Sequence, residues 1–119
     1  MRILIVEDNP DHREILTTRL YSLGYVCQEV AGGHEGLCIL HSSRFDLVIC
    51  DYRMPEMNGF QFIHTLRTTY DISTIPIIFT TTHSDRTVID HAFSLGATTT
   101  LVKPYSLENL QTALDLVGR

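Results

Sequence analysis

Short apolar runs alternate with segments of helical period along the whole chain. Ile3-Leu4-Ile5-Val6 is continuously apolar, the pattern of a strand covered on both faces. Asn9 then caps a helix and Pro10 suits its first turn. Ile15, Leu16, Leu20 and Leu23 form the inward stripe, and Gly24 stops it. Tyr25–Val30 alternates loosely, as a strand nearer an edge does. Gly32-Gly33 opens a second helix, with Leu37, Leu40 and Ile39 facing inward. Asp46–Cys50 is a second buried strand, followed by the turn-rich Met54–Gly59. Phe60–Thr68 places Phe62, Ile63 and Leu66 at helical spacing, and Ile75–Thr80 is a third buried strand with Pro76 at its entrance. A helix starting at His83 or Ser84 runs to Leu95 and stops at Gly96. Thr98–Val102 is the last strand, and Ser106 caps a final helix carrying Leu107, Leu110, Leu114 and Val117.

Strands alternating with helices predict an α/β fold: a doubly wound, five-stranded parallel sheet with five helices on both faces. The least apolar strands, Tyr25–Val30 and Thr98–Val102, belong at the edges. That predicts the flavodoxin-like order 2-1-3-4-5, with a topological switch point between the first and third strands.

The length, 119 residues, predicts one domain spanning residues 1–119. Such a chain buries roughly 65% of its extended surface, enough for a core without staples. The formal charge of −5 argues against nucleic-acid binding by this domain, because phosphate binding needs a cationic face. No apolar run approaches the roughly 20 residues of a membrane span. Met1–Val6 lacks the longer apolar stretch and cleavage site of a signal peptide. Cys27, Cys38 and Cys50 form no C-x-x-C pair and read as small, buried, reduced thiols, which predicts a cytoplasmic location. His12, His34, His41, His64 and His91 show no metal-ligand spacing and read as solvated helix residues.

Ligands of such sheets bind at the carboxyl ends of the strands. The first strand leads into Glu7-Asp8, the third into Asp51, the fourth into Thr80-Thr81-Thr82 and the fifth into Lys103-Pro104. The first and third strands are neighbours about 4.8 Å apart, so Glu7, Asp8 and Asp51 converge. Converging carboxylates repel and raise one another's pKa, and a hard divalent cation such as Mg²⁺ relieves this. Lys103 adds a cation, aimed by the restriction that Pro104 imposes on it. Thr81 adds a hydroxyl, whereas Thr80 reads as simple β-propensity. A carboxylate nucleophile, a divalent cation, a hydroxyl and a lysine suit phosphoryl transfer onto Asp51.

At these residues the chain resembles the receiver domains of two-component response regulators, over essentially its whole length. The resemblance rests on Ile3–Asn9, Asp51–Gly59, Pro76 with Thr81, Gly96-Ala97 and Lys103-Pro104. It implies a signalling phosphoacceptor rather than an enzyme, with Asp51 as the acceptor. It implies Mg²⁺ (with Mn²⁺ able to substitute) on Asp8, Asp51 and the backbone carbonyl of Arg53, Glu7 helping directly or through water. It implies Thr81 as a switch hydroxyl, Lys103 on the phosphoryl group and a cis Lys103-Pro104 bond. The implied donor is a phosphohistidine on a sensor histidine kinase or a histidine phosphotransfer domain. An effector domain or a homodimer would use the face formed by the Ser84–Leu95 helix, the last strand and the last helix.

Four features depart from the family pattern. Asn58 replaces a frequent Asp, which alters only the turn. Thr82 stands where a small residue is usual. Arg53 and His83 flank the path of attacking water, which predicts slow self-dephosphorylation. Thr100 replaces the usual aromatic. A haloacid-dehalogenase-type phosphatase would need a second Asp where Arg53 stands. A flavodoxin-type carrier would need a phosphate cradle where Glu7-Asp8 repel phosphate. A scaffold that is never phosphorylated would not need the intact set of site residues.

Overall fold

The structure is a computed structural model and describes residues 1–69 and 74–118. The elements are β1 (Arg2–Val6), α1 (Pro10–Ser22), β2 (Val26–Val30), α2 (Gly33–Ser42), β3 (Leu47–Asp51), α3 (Gly59–Thr68), β4 (Ile77–Thr81), α4 (Arg86–Leu95), β5 (Thr99–Val102) and α5 (Leu107–Val117). All strand pairings are parallel, and the order is β2-β1-β3-β4-β5, as the apolar pattern predicts. β3 and β4 are buried along their full length, while β2, at an edge, is half-exposed.

The period of two along each strand divides the core into two layers. Leu4, Val6, Val48, Cys50, Ile77 and Phe79 pack against α2, α3 and α4, where Leu40, Phe62, Ile63, Leu66 and Ala92 receive them. Ile3, Ile5, Leu47, Ile49, Ile78 and Leu101 pack against Leu16 and Leu20 of α1 and Leu110, Ala113 and Leu114 of α5. Phe62 is fully buried, and its truncation to Ala would cost about 3–5 kcal/mol.

Capping fixes the helix starts that face the strand ends. Asn9 accepts from the N–H groups of Asp11 and His12, and Asn58 forms a capping box with Gln61. Thus Asn58 does more than shape a turn. At Gly59 the backbone passes so close beneath β3 that a Cβ would lie 2.6 Å from the carbonyl oxygen of Asp51. Only glycine lets α3 start there.

Several expectations need correction. Ile15 is 51% exposed rather than inward. It lies about 100° around the helix from Leu16, and the core-facing stripe follows Leu16 and Leu20. Cys38 is exposed and Cys27 half-buried; only Cys50 is a buried thiol. α4 starts at Arg86, not His83 or Ser84, because Asp85 is its cap and accepts from the Thr87 N–H. β3 and β4 also run one residue further than predicted, which places Asp51 and Thr81 inside the ladder rather than beyond it.

Candidate functional site at the carboxyl ends of the strands

Strand phase decides which side chains meet. Ile5, Ile49, Ile78 and Leu101 all face the α1/α5 layer. Two residues further along these four chains stand Glu7, Asp51, Thr80 and Lys103, in the same phase. The ladder sets Asp51 beside Thr80, and Val6, just before Glu7, beside Cys50. Ligand oxygens of Glu7, Asp8 and Asp51 all come within 4.8 Å of one another. The predicted convergence is therefore present.

Lys103 closes the group. Its Nζ donates to Glu7 Oε1 at 2.5 Å and lies 3.1 Å from Asp51 Oδ1. The side chains of Glu7, Asp51 and Lys103 are 6%, 11% and 11% exposed, so these charges interact with little screening by solvent. The Lys103 backbone N–H donates to the Thr81 carbonyl at 2.7 Å, and the Lys103-Pro104 peptide is cis, as the resemblance implies. Glu7 Oε2 accepts from the Asn9 N–H, and Arg13 ties α1 to the carbonyls of Glu7 and Asp8. Burial pushes the Glu7 carboxyl up; the hydrogen bond from Lys103 opposes this, and the charge of Asp51 adds to it, with a net rise.

Three carboxylates against one ammonium leave two negative charges uncompensated when all are ionised. The donors are all oxygens, and Asp8 is exposed, so water can complete the coordination. That donor set fits a hard divalent cation such as Mg²⁺. A cleft of about 210 Å³ opens over Glu7, Asp8, Asp51, Arg53, Thr81 and Lys103.

Thr80 does more than the β-propensity expected of it, and Thr81 lines the cleft from the other side. Thr80 Oγ1 donates to Asp51 Oδ1 at 3.3 Å, whereas Thr81 lies in the opposite phase and its Oγ1 accepts from the His83 N–H at 2.9 Å. Counting Thr80 two residues on from Ile78 in a strand that also contains Thr81 would have found the contact. His12 was also misread. It is half-buried, with Nδ1 3.0 Å from Lys103 Nζ and 3.6 Å from Glu7 Oε1. His34, His41 and His64 are exposed, as expected; His91 is exposed but meets the Phe60 ring edge-on at 4.5 Å.

On the α3/α4 side, Arg53 and His83 do more than flank the cleft. Arg53 Nη2 hydrogen-bonds His83 Nε2 at 3.0 Å. The His83 ring stands edge-on to Tyr52, with centroids 5.6 Å apart, and Tyr52 packs on Phe60 and Phe79. Thr100 is half-buried and lines a shallow groove on β5 and α5 with Thr112, Ala113 and Leu116. Cys50, with its thiol pushed well up by burial, is a packing residue.

The profile described as the response regulator receiver domain matches residues 3–115. A probable chemotaxis protein CheY from Rhizobium etli is 33% identical over 118 residues, covering 98% of this chain and 92% of that protein. The solved structure of chemotaxis protein CheY4 from Vibrio cholerae superposes with a TM-score of 0.91 at 33% identity, covering 98% of this chain and 97% of that one. The receiver domain of sensor histidine kinase PA1611 from Pseudomonas aeruginosa was solved with a magnesium ion coordinated in its active-site cleft. It gives a TM-score of 0.90 at 28% identity, covering 99% of this chain and 98% of that one. Of other curated relatives the chain spans about half, 45% and 48%, or as little as 12%. None of the described helices is long and apolar enough to cross a membrane.

Proposed function

The chain belongs to the response regulator receiver family, modules phosphorylated on aspartate by histidine kinases, and we propose that Asp51 is its phosphoacceptor. The observation that carries this is the buried Asp51 carboxylate, paired with Lys103 and within ligand distance of Glu7 and Asp8. Asp51 attacks the phosphorus of a phosphohistidine on a sensor histidine kinase or histidine phosphotransfer domain. The P–N bond breaks and the imidazole leaves. Lys103 neutralises charge on the transferring group, and Thr81 offers its hydroxyl to the phosphoryl oxygens on the α3/α4 side. Glu7, Asp8, Asp51 and the Arg53 backbone carbonyl would hold Mg²⁺, or Mn²⁺ in its place. The bound cation supplies charge neutralisation and orientation of phosphoryl oxygens.

The acceptor loses its phosphoryl group by slow self-dephosphorylation, because Arg53, bonded to His83, and Thr82, which lines the cleft with His12 and Lys103, crowd the approach. Output goes through the α4–β5–α5 face to an effector domain or a second copy; Phe93 and Leu116 are exposed on its helices. We propose that residues 1–119 act as a single receiver domain in the cytoplasm, where Cys27, Cys38 and Cys50 stay reduced.

The test is labelling by a small donor such as acetyl phosphate. Wild type should be labelled when Mg²⁺ is present, and neither a chelated sample nor Asp51→Asn should be. Labelling of Asp51→Asn at the wild-type level would refute the assignment.

A further inference from the structure

We propose that His12 is a positioning residue for phosphoryl transfer, holding the Lys103 ammonium through its Nδ1 nitrogen. The inference rests on the role assigned to Lys103 above. An ammonium has three N–H donors and no lone pair. Three acceptor atoms stand around Lys103 Nζ: Glu7 Oε1 at 2.5 Å, His12 Nδ1 at 3.0 Å and Asp51 Oδ1 at 3.1 Å. The ammonium thus hydrogen-bonds Glu7 and His12 and forms an ion pair with Asp51.

These partners are not equivalent. Glu7 and Asp51 are carboxylates of the acidic cluster, and both have a second task there. His12 has none, and it is the one neutral acceptor of the three. It is also firmly placed. It sits in the first turn of α1, where its own N–H donates to Asn9 Oδ1 at 3.1 Å. Arg13, the next residue, binds the carbonyls of Glu7 and Asp8, which ties that turn to the strand end. A carboxylate that turns toward another ligand leaves the lysine; a neutral imidazole on a capped helix does not. His12 thus fixes where Lys103 points while its other two partners are engaged.

Accepting from Lys103 requires the Nδ1 lone pair, so this role places the ring proton on Nε2, with Glu7 Oε1 farther from Nδ1 at 3.6 Å.

The experiment compares His12→Leu, His12→Asn and Lys103→Ala in labelling by acetyl phosphate at saturating Mg²⁺, with calorimetric Mg²⁺ affinities alongside. His12→Leu should slow labelling roughly three- to tenfold, the effect of losing one ordinary net hydrogen bond at a partly exposed site. Its Mg²⁺ affinity should stay at the wild-type value. His12→Asn places an amide oxygen near the Nδ1 position and should restore most of the rate, which a purely structural role for the imidazole would not give. In the metal-free wild type, nitrogen-detected NMR should show the His12 Nε2–H tautomer in the neutral ring and a slowly exchanging Lys103 ammonium that is lost in His12→Leu. If Lys103→Ala slows labelling and His12→Leu does not, His12 is no holder of the lysine. If Lys103→Ala labels normally, the role of Lys103 falls, and this inference with it. Should His12→Leu fail to fold, the tautomer decides: a neutral ring protonated on Nδ1 cannot accept from Lys103 and overturns the proposal.

Discussion

The two sides of the crevice are built by different means. Toward α1 and α5 stand Glu7, Asp51, Thr80 and Lys103, which follow directly from the phase of four core strands. They are buried, mostly charged and bonded to one another. Toward α3 and α4 stand Arg53 and His83, which reach in from loops and meet each other over Tyr52. Burial couples the first group: a change in one charge is felt by every other. The second group is exposed or half-buried, and its members can be replaced singly without leaving a buried charge unpaired. The proposed function therefore assigns acceptance of the phosphoryl group to the first side, and its lifetime and readout to the second.

Asp8 tests that division at its sharpest, because it joins the acidic cluster yet is exposed. Asp8→Ala should lower Mg²⁺ affinity at least tenfold to a hundredfold, no less than the loss of an outer-shell partner costs. The fold should lose almost nothing, since removing a negative charge relieves repulsion in the metal-free site. Calorimetric Mg²⁺ titration and thermal unfolding read the two effects separately. A large fall in unfolding temperature without metal would mean that Asp8 is part of the buried network after all.

A smaller effect comes from Glu7. Burial raises its pKa above the ordinary 4.5, and Mg²⁺ binds the ionised carboxylate. The sign follows: as pH falls through the raised value, protons compete with the cation and the apparent affinity drops. In wild type this drop begins at a higher pH than an ordinary glutamate would give. Glu7→Gln binds more weakly overall but should show its drop only at lower pH. Identical pH profiles for the two proteins would locate the competing proton elsewhere.

The same division explains what was legible in the sequence. The sheet order, the layers and the convergence of Glu7, Asp8, Asp51 and Lys103 all follow from strand patterning, because a period of two and a parallel ladder leave few choices. Ile15 was misplaced because two adjacent apolar residues, Ile15 and Leu16, cannot both lie at the centre of one helical stripe, and the pattern alone does not choose between them. His12 was missed for another reason. Its contact with Lys103 spans 91 residues and depends on a rotamer, which no local pattern records. Thr80 is different again, since strand phase was sufficient to find it.

The loop-built side should control lifetime. Hydrolysis needs a water in line behind the phosphorus, and Arg53, bonded to His83 beside Thr82, narrows that approach. The guanidinium can also hold a phosphoryl oxygen. Arg53→Asn should speed loss of the phosphoryl group severalfold, and Thr82→Ala less, while both label normally. Decay of the labelled protein after donor removal measures this. Unchanged decay in both variants would show that these side chains do not shield the site.

The smallest effect concerns output, at Thr100. In the family an aromatic at this position swings into the space that the switch hydroxyl vacates. Threonine is short and β-branched and cannot fill that volume. Here Thr100 lines a groove with Leu101, Tyr105, Thr112, Ala113 and Leu116, and its own side chain offers little apolar mass to move. A two-state equilibrium shifts only as far as the differential contacts of its states allow, and one such contact is missing. The Thr81 hydroxyl retains a partner to exchange, the His83 N–H at 2.9 Å, and its movement can still pull on the loop before α4. Adding a phosphoryl mimic should therefore produce modest amide shifts across α4, β5 and α5 in wild type. Thr100→Tyr should enlarge them, because the ring can trade the groove for the space beside Thr81. Large wild-type shifts that Thr100→Tyr leaves unchanged would mean that the α4–β5–α5 face is moved entirely from the His83 loop.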